Sequence, residues 1–239
     1  MDYIWIIATL CAFFIKGLCG FANSLIFTSV LSFSQSNINI SPVELVLGYP
    51  SNLLQAWRGR ANIKWKLCIP PCILILLGNI PGILFLKNAN VQGLKVFLGL
   101  VVAAIGVEML LRDLSTKKWK ESKLLLAVIG ILSGIICGLF GIGAPLGAYI
   151  GKTTDDTQSF KANIGVIFVV ENTFRIVMYA CMRIITLATV KQSVMLMPFM
   201  LLSMFAGMVS SKFLSEKIAK KLVIVLLIIS GMALVIQNI

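Results

Sequence analysis

Apolar residues fall into eight stretches separated by short polar interruptions, running from Tyr3 to Phe33, Pro42 to Trp57, Leu67 to Leu86, Leu94 to Leu111, Leu124 to Ile150, Ile164 to Met182, Val194 to Phe213 and Ile218 to Ile236. About 20 helical residues, each rising about 1.5 Å, cross roughly 30 Å of hydrocarbon. Most of the stretches are near that length, which predicts an all-α, polytopic helical membrane protein. The first and fifth are too long for one simple span. Both carry glycines near the middle, Gly17 and Gly20 in the first and Gly138, Gly141 and Gly143 in the fifth, where Pro145 follows. Glycine tolerates φ values closed to other residues and proline removes a helical donor, so both stretches are expected to break there.

The two breaks resemble each other. Residues 17–25 align with residues 138–146 at an offset of 121, with four identities in nine. Asn52 then matches Asn172 at an offset of 120, and Gly82, Lys87, Lys95 and Gly106 match Gly207, Lys212, Lys220 and Gly231 at 125. The chain reads as a tandem duplication, with a first membrane repeat at 1–111, a polar cytoplasmic linker at 112–123 and a second membrane repeat at 124–239. Each repeat would hold one glycine-broken segment and three transmembrane helices, an organisation common among secondary transporters.

Loop charge bears on the orientation of the halves, because basic residues concentrate on the cytoplasmic side. If every stretch crossed once, the loops would divide the basic residues 11 to 8. If Leu124 to Ile150 instead enters and returns to its own side, 15 fall inside, and only Lys87, Lys95, Arg183 and Lys191, 4 in all, fall outside. The second division predicts a re-entrant fifth stretch, inverted repeats and both termini outside. The first stretch is untested by charge, since only Asp2 flanks it, and whether it spans or re-enters stays open. Met1 to Ile15 lacks a basic leader and a small-residue cleavage site, so this stretch is expected to remain in the mature protein.

Composition agrees and narrows the chemistry. The 239 residues are 59% hydrophobic and 13% charged, against about 25% charged in soluble domains. That excludes a soluble fold, disorder and a disulfide scaffold. Histidine is absent, which removes the commonest metal ligand and the commonest general base, so neither a metal site nor a cofactor is expected. The net charge of +12 is scattered between apolar spans without interleaved aromatics, and nucleic-acid binding is not expected. Cys11, Cys19, Cys68, Cys72, Cys137 and Cys181 lie within or at the ends of apolar stretches, where a thiol packs as a small hydrophobe.

A broken helix leaves backbone N–H groups unpaired and partly positive at its new N-terminus, a ready site for anions. Gly20, Asn23, Ser24, Gly141, Gly143 and Pro145 are therefore placed around a cavity near the midplane, with Gly17 and Gly138 just before each break. Close packing through small residues is the competing role for the glycines. Asn52 and Asn172 suit a cavity wall or an interhelical hydrogen bond equally. Arg175 follows Glu171 by one helical turn inside an apolar stretch. The pair either neutralises itself or supplies an anion contact at Arg175 and a coupling proton at Glu171. Lys16 has no evident acidic neighbour and either snorkels or lines the anion path. Glu44 and Glu108, near segment ends, read as solvated, and Trp57, Trp65 and Trp119 as interfacial anchors.

At the broken stretches the chain resembles the sulfite exporter TauE/SafE family, also called the toluene sulfonate uptake permease (TSUP) family. The resemblance rests on Gly-Leu-Cys-Gly-Phe-Ala at 17–22, on Ser133-Gly134 through Gly138-Leu139-Phe140-Gly141-Ile142-Gly143-Ala144-Pro145, on Asn52 and Asn172, and on Pro81-Gly82, and it covers essentially the whole chain. Ala144 stands where the family often has glycine, and Ala22 and Asn23 likewise. The resemblance implies a multi-pass plasma-membrane protein moving sulfite, sulfonates or related organosulfur or organic anions, coupled to an ion gradient. The combined expectation is a non-enzymatic secondary transporter for a small anion, working by alternating access in the lipid bilayer with H+ or Na+ as the possible coupling ion. The alternative from another class is a membrane-embedded enzyme acting on lipid phosphate, for which Glu171 and Arg175 make a thin catalytic set.

Overall fold

The computed structural model describes residues 3–88, 90–114, 123–154, 156–210 and 216–238. Of the expected linker, residues 115–122, Trp119 among them, lie outside the described residues, as does Lys212. The fold is all-helical, with ten α-helices among the described residues: α1 (Tyr3–Cys19), α2 (Asn23–Ser32), α3 (Asn37–Arg58), α4 (Trp65–Asn88), α5 (Val91–Leu114), α6 (Lys123–Phe140), α7 (Ala144–Thr153), α8 (Thr157–Cys181), α9 (Leu187–Ser210) and α10 (Glu216–Asn238). The first and fifth apolar stretches each split in two where the glycines stand. Elsewhere the helices start earlier than the apolar stretches do. Helix α8 begins at Thr157 because the Asp156 carboxylate accepts from the Ser159 N–H at 2.7 Å and caps it. That hydrogen bond holds the Asp156 carboxyl below its ordinary range.

Five described helices are long and apolar enough to cross a membrane: Trp65–Leu86, Gln92–Leu111, Lys123–Phe140, Gln158–Cys181 and Leu187–Ser210. Their outer faces carry exposed apolar side chains, such as Ile69, Ile73 and Leu77 on α4 and Leu201, Leu202 and Phe205 on α9. This is the surface a lipid environment requires. Trp57 and Trp65 are exposed at one end, Trp57 beneath the Arg60 guanidinium at 4.7 Å from the ring centre.

Both split segments double back. Straight helices would separate Trp5 from Phe27 by about 33 Å, yet their rings lie 6.0 Å apart. Leu125 and Leu126 at the start of α6 share one apolar cluster with Tyr149 and Ile150 near the end of α7. Across the molecule, Glu44 meets Arg175, Tyr49 meets Thr173 and Gln55 meets the Lys161 carbonyl, so α3 and α8 run antiparallel. Helices α5 and α10 also run antiparallel, with Gly99 against Val235 and Gly106 against Ile228. Helix α4 runs parallel to α6, since Leu74 faces Gly130, Gly78 faces Gly134 and Gly82 faces Gly138.

These directions fix the ends of the bundle. The Lys64 N–H donates to Asn163 Oδ1 at 2.7 Å, which seats the α3–α4 turn beside the start of α8. The α6–α7 hairpin opens at that end, with Arg58, Arg60, Lys64, Lys66 and Lys161. The α1–α2 hairpin leads into the start of α3, at the other end.

Several long-range helix contacts are glycine crossings. At Gly17 a Cβ would strike the Met204 carbonyl, and at Gly207 the Phe14 carbonyl, so α1 and α9 touch backbone to backbone. Gly134 and Gly138 hold α6 against α4 in the same way, at the Ile75 and Asn79 carbonyls. The recurring glycines Gly17/Gly138 and Gly82/Gly207 thus meet each other, Gly17 with Gly207 and Gly138 with Gly82. A side chain at Gly134 would meet the Ile75 carbonyl and, at 2.7 Å, Gly78 Cα, and backbone cannot yield as a side chain can. Gly134→Leu should therefore lower stability by at least about 3 kcal/mol, the upper range for overpacking. Thermal unfolding of detergent-solubilised protein checks this against Gly93→Leu, where a Cβ meets nothing within 4 Å and little change is expected.

Candidate functional site

Each break is built on a residue with left-handed backbone. Gly20 has φ +85° and Gly141 φ +75°, at matching places in the two glycine-bearing stretches. Their N–H groups close the last turns of α1 and α6, on the carbonyls of Lys16 at 2.7 Å and Cys137 at 2.8 Å. A positive φ then turns the chain, as at many helix C-termini. Ala22, with φ 72°, completes the first turn, and Pro145 opens α7, where its missing donor is harmless. The N-termini of α2 and α7 consequently point inward.

Between them lies a chamber of about 20 Å³, room for about one water. Asn23, Ser24, Asn52, Gly141, Gly143, Glu171 and Asn172, all expected site residues, line it together with Phe21, Phe168 and Glu44. Gly138 and Pro145 do not line it: Gly138 packs on α4 and Pro145 starts a helix. Arg175 lies immediately behind the wall, 1% exposed.

Glu44 corrects its reading as a solvated residue. It is 3% exposed, and its carboxylate is the junction of three elements. Oε1 accepts from Asn23 Nδ2 at 3.1 Å and Ser24 Oγ at 2.6 Å, and Oε2 accepts from Arg175 Nη2 at 2.9 Å. Arg175 Nη1 donates to the Cys137 carbonyl at 2.8 Å, and Tyr179 donates to the Gly138 carbonyl at 3.1 Å, so α8 holds the open end of α6. Glu171 stands 3.7 Å from Arg175 Nε and accepts from Asn79 Nδ2 at 3.0 Å. Gly141 is required here twice over, by its φ and because a Cβ would lie 2.6 Å from Glu44 Oε2. One sequence signal pointed to Glu44: with Gly48 and Asn52 it forms an i, i+4, i+8 stripe on one face of α3.

Beside the first break opens a second and larger cavity of about 370 Å³. It is lined by Lys16, Gly17, Gly20, Gln55, Arg58 and Lys161, with Leu54, Met204 and Met208, and no acidic side chain is among its lining residues. Lys16 is 2% exposed and donates to Asn52 Oδ1 at 2.5 Å, while Lys161 donates to the Leu18 carbonyl at 3.2 Å. Lys16 therefore sits in the wall between cavity and chamber. Among the described residues no group of three or more His, Cys, Asp or Glu side chains could hold a metal, and the cysteines are free, three buried and Cys11 and Cys181 exposed.

Removing one partner of a buried ion pair costs roughly 3–5 kcal/mol, because the other charge is left uncompensated. Glu44→Ala, which strands Arg175 with Glu171 alone, should lose stability on that scale. The thermal midpoint of the purified variant is the measurement, and a shift no larger than that of an exposed-site control such as Gln158→Ala would restore the solvated reading.

No curated protein and no solved structure gives a significant match to the chain. The sequence model of one family does, described as Sulfite exporter TauE/SafE, over residues 5–234. That match spans both breaks, the buried cluster on α3 and α8, and the cation-lined cavity, and the chain belongs to this sulfite exporter family of membrane proteins.

Proposed function

We propose that the chain is a secondary transporter that carries a small anion, such as sulfite, a sulfonate or a related organic anion, across the plasma membrane. Alternating access would turn on the two helix breaks, with H+ or Na+ as coupling ion. The observation that carries this reading is the pair of matched glycine breaks, both at positive φ, the first of which borders a cavity whose charged lining residues are all cationic. Buried cations and inward-facing helix N-termini favour a negative solute, and lipid-phase proteins keep irregular backbone where it is buried or faces a cavity. The opposite entry of the two hairpins and the antiparallel packing of α3 on α8 and α5 on α10 support inverted repeats, with the Arg58–Lys66 end cytoplasmic. Both breaks lie inside the family match.

The direct test is a thermal-shift screen of the purified protein with sulfite, thiosulfate, methanesulfonate, sulfoacetate, taurine and short carboxylates. An anion that binds the folded state raises the midpoint in proportion to RT ln(1 + [L]/Kd), about 2.7 kcal/mol at a hundredfold excess over Kd. Sulfur oxyanions should shift the protein, and stabilisation by lipid phosphates alone would overturn the transporter reading in favour of the enzyme. Orientation has its own test, single cysteines replacing Thr154 and Thr186 in a background without native cysteines. The first should react from the cytoplasm and the second from outside, and the reverse pattern would refute the proposed orientation.

A further inference from the structure

Among the described residues four charged ones are at most 3% exposed: Lys16, Glu44, Glu171 and Arg175. Their formal charges cancel. Arg175 is committed to the two carboxylates, but the hydrogen-bond partner of Lys16 is the neutral Asn52. Lys16 alone of the four also lines the 370 Å³ cavity, with Arg58 and Lys161. Asn52 lines the chamber together with Glu44 and Glu171. Lys16 and the Asn52 it bonds therefore stand between the open cavity and the chamber that the carboxylates line.

Resting on the transporter reading above, we infer that Lys16 is the innermost anion-binding residue, and that an anion engaging it is compensated by one proton taken up on Glu171. Buried charge in the bilayer must be balanced. Once the Lys16 ammonium is neutralised by a bound anion, the two carboxylates share only Arg175, and one negative charge is left over. The cheapest remedy is a proton from the solution. Glu44 is the poorer acceptor, because its two oxygens receive three donors, from Asn23, Ser24 and Arg175. Glu171 receives two, from Asn79 and from the weakly donating Cys137 thiol, and Arg175 Nε faces it at 3.7 Å without a hydrogen-bonding partner. The groups facing Glu171 are Arg175 on its own helix, Glu44 from α3, and the Cys137 thiol from α6. The Glu44 charge also acts on Lys16, and Arg58 and Lys161 share the cavity that Lys16 lines. The step is balanced: one anion enters the cavity, one carboxylate becomes a carboxylic acid, and the net buried charge is unchanged.

The test is proton uptake on binding, measured with a pH indicator in weakly buffered detergent solution at pH 7, with methanesulfonate and thiosulfate as probes whose charge is constant from pH 5 to 8. Wild-type protein should take up close to one proton per methanesulfonate bound, and its affinity should strengthen as pH falls, by up to about tenfold per unit. Lys16→Gln should weaken binding at least tenfold, with Lys16→Arg restoring it. Glu171→Gln should still bind, without proton uptake and with an affinity independent of pH. Gel filtration of each variant establishes that it is folded, and the wild-type measurement tests the inference without any substitution. Binding by wild type with no proton uptake, uptake retained in Glu171→Gln, or unaltered affinity in Lys16→Gln would each overturn it while leaving the transporter reading intact. Failure of wild type to bind either anion would remove both.

Discussion

The contact on which the interior depends is the ion pair between Glu44 and Arg175. It joins α3 to α8, the two long helices that face each other across the centre, and through its remaining hydrogen bonds it reaches both breaks. Asn23 and Ser24 tie it to the start of α2, and the Cys137 carbonyl ties it to the end of α6. The Ser24 hydroxyl at a new helix start finds its acceptor in Glu44, and the Cys137 carbonyl, which already accepts the Gly141 N–H, takes a second hydrogen bond from Arg175. The desolvation of the ion pair is offset by four hydrogen bonds, the one within the pair included, which is the condition under which a buried pair is tolerable.

The asymmetry of charge between the two hollow regions follows from the same arrangement. Carboxylates and amides line the small chamber, and lysines and an arginine line the wide cavity. Gly20 and Gly141 match in backbone, but the buried charged residues have no counterpart at the same sequence offset. Lys16 aligns with Cys137, and Arg175 with Gln55. That difference distinguishes the cavity from the chamber.

Much of this was legible in the chain because it was local. Glycine at a left-handed turn leaves a mark in a single sequence, and the breaks fell at Gly20 and Gly141 as the pattern indicated. Chamber residues close to the breaks, such as Asn23, Ser24 and Gly143, were legible for the same reason. Glu44 was not, since its partner lies 131 residues away and the polar flank at Asn37 to Ser41 looks like an exposed helix end. Lys16 was ambiguous because its partner is an uncharged amide 36 residues on. Gly138 shows the limit of local reading from the other side: it belongs to the glycine cluster in sequence, yet it packs on Asn79 of α4, 59 residues earlier.

The glycine crossings also set the order of events during synthesis. Helix α1 finds its closest neighbour in α9, and Gly17 is separated from Gly207 by about 190 residues. At the usual pace of about 5–20 residues per second, that contact forms roughly 10–40 s after α1 emerges. Helix α6, by contrast, meets a partner already made, α4. The nascent first hairpin must wait in the membrane with its smooth glycine face bare, whereas the second docks as soon as it leaves the ribosome.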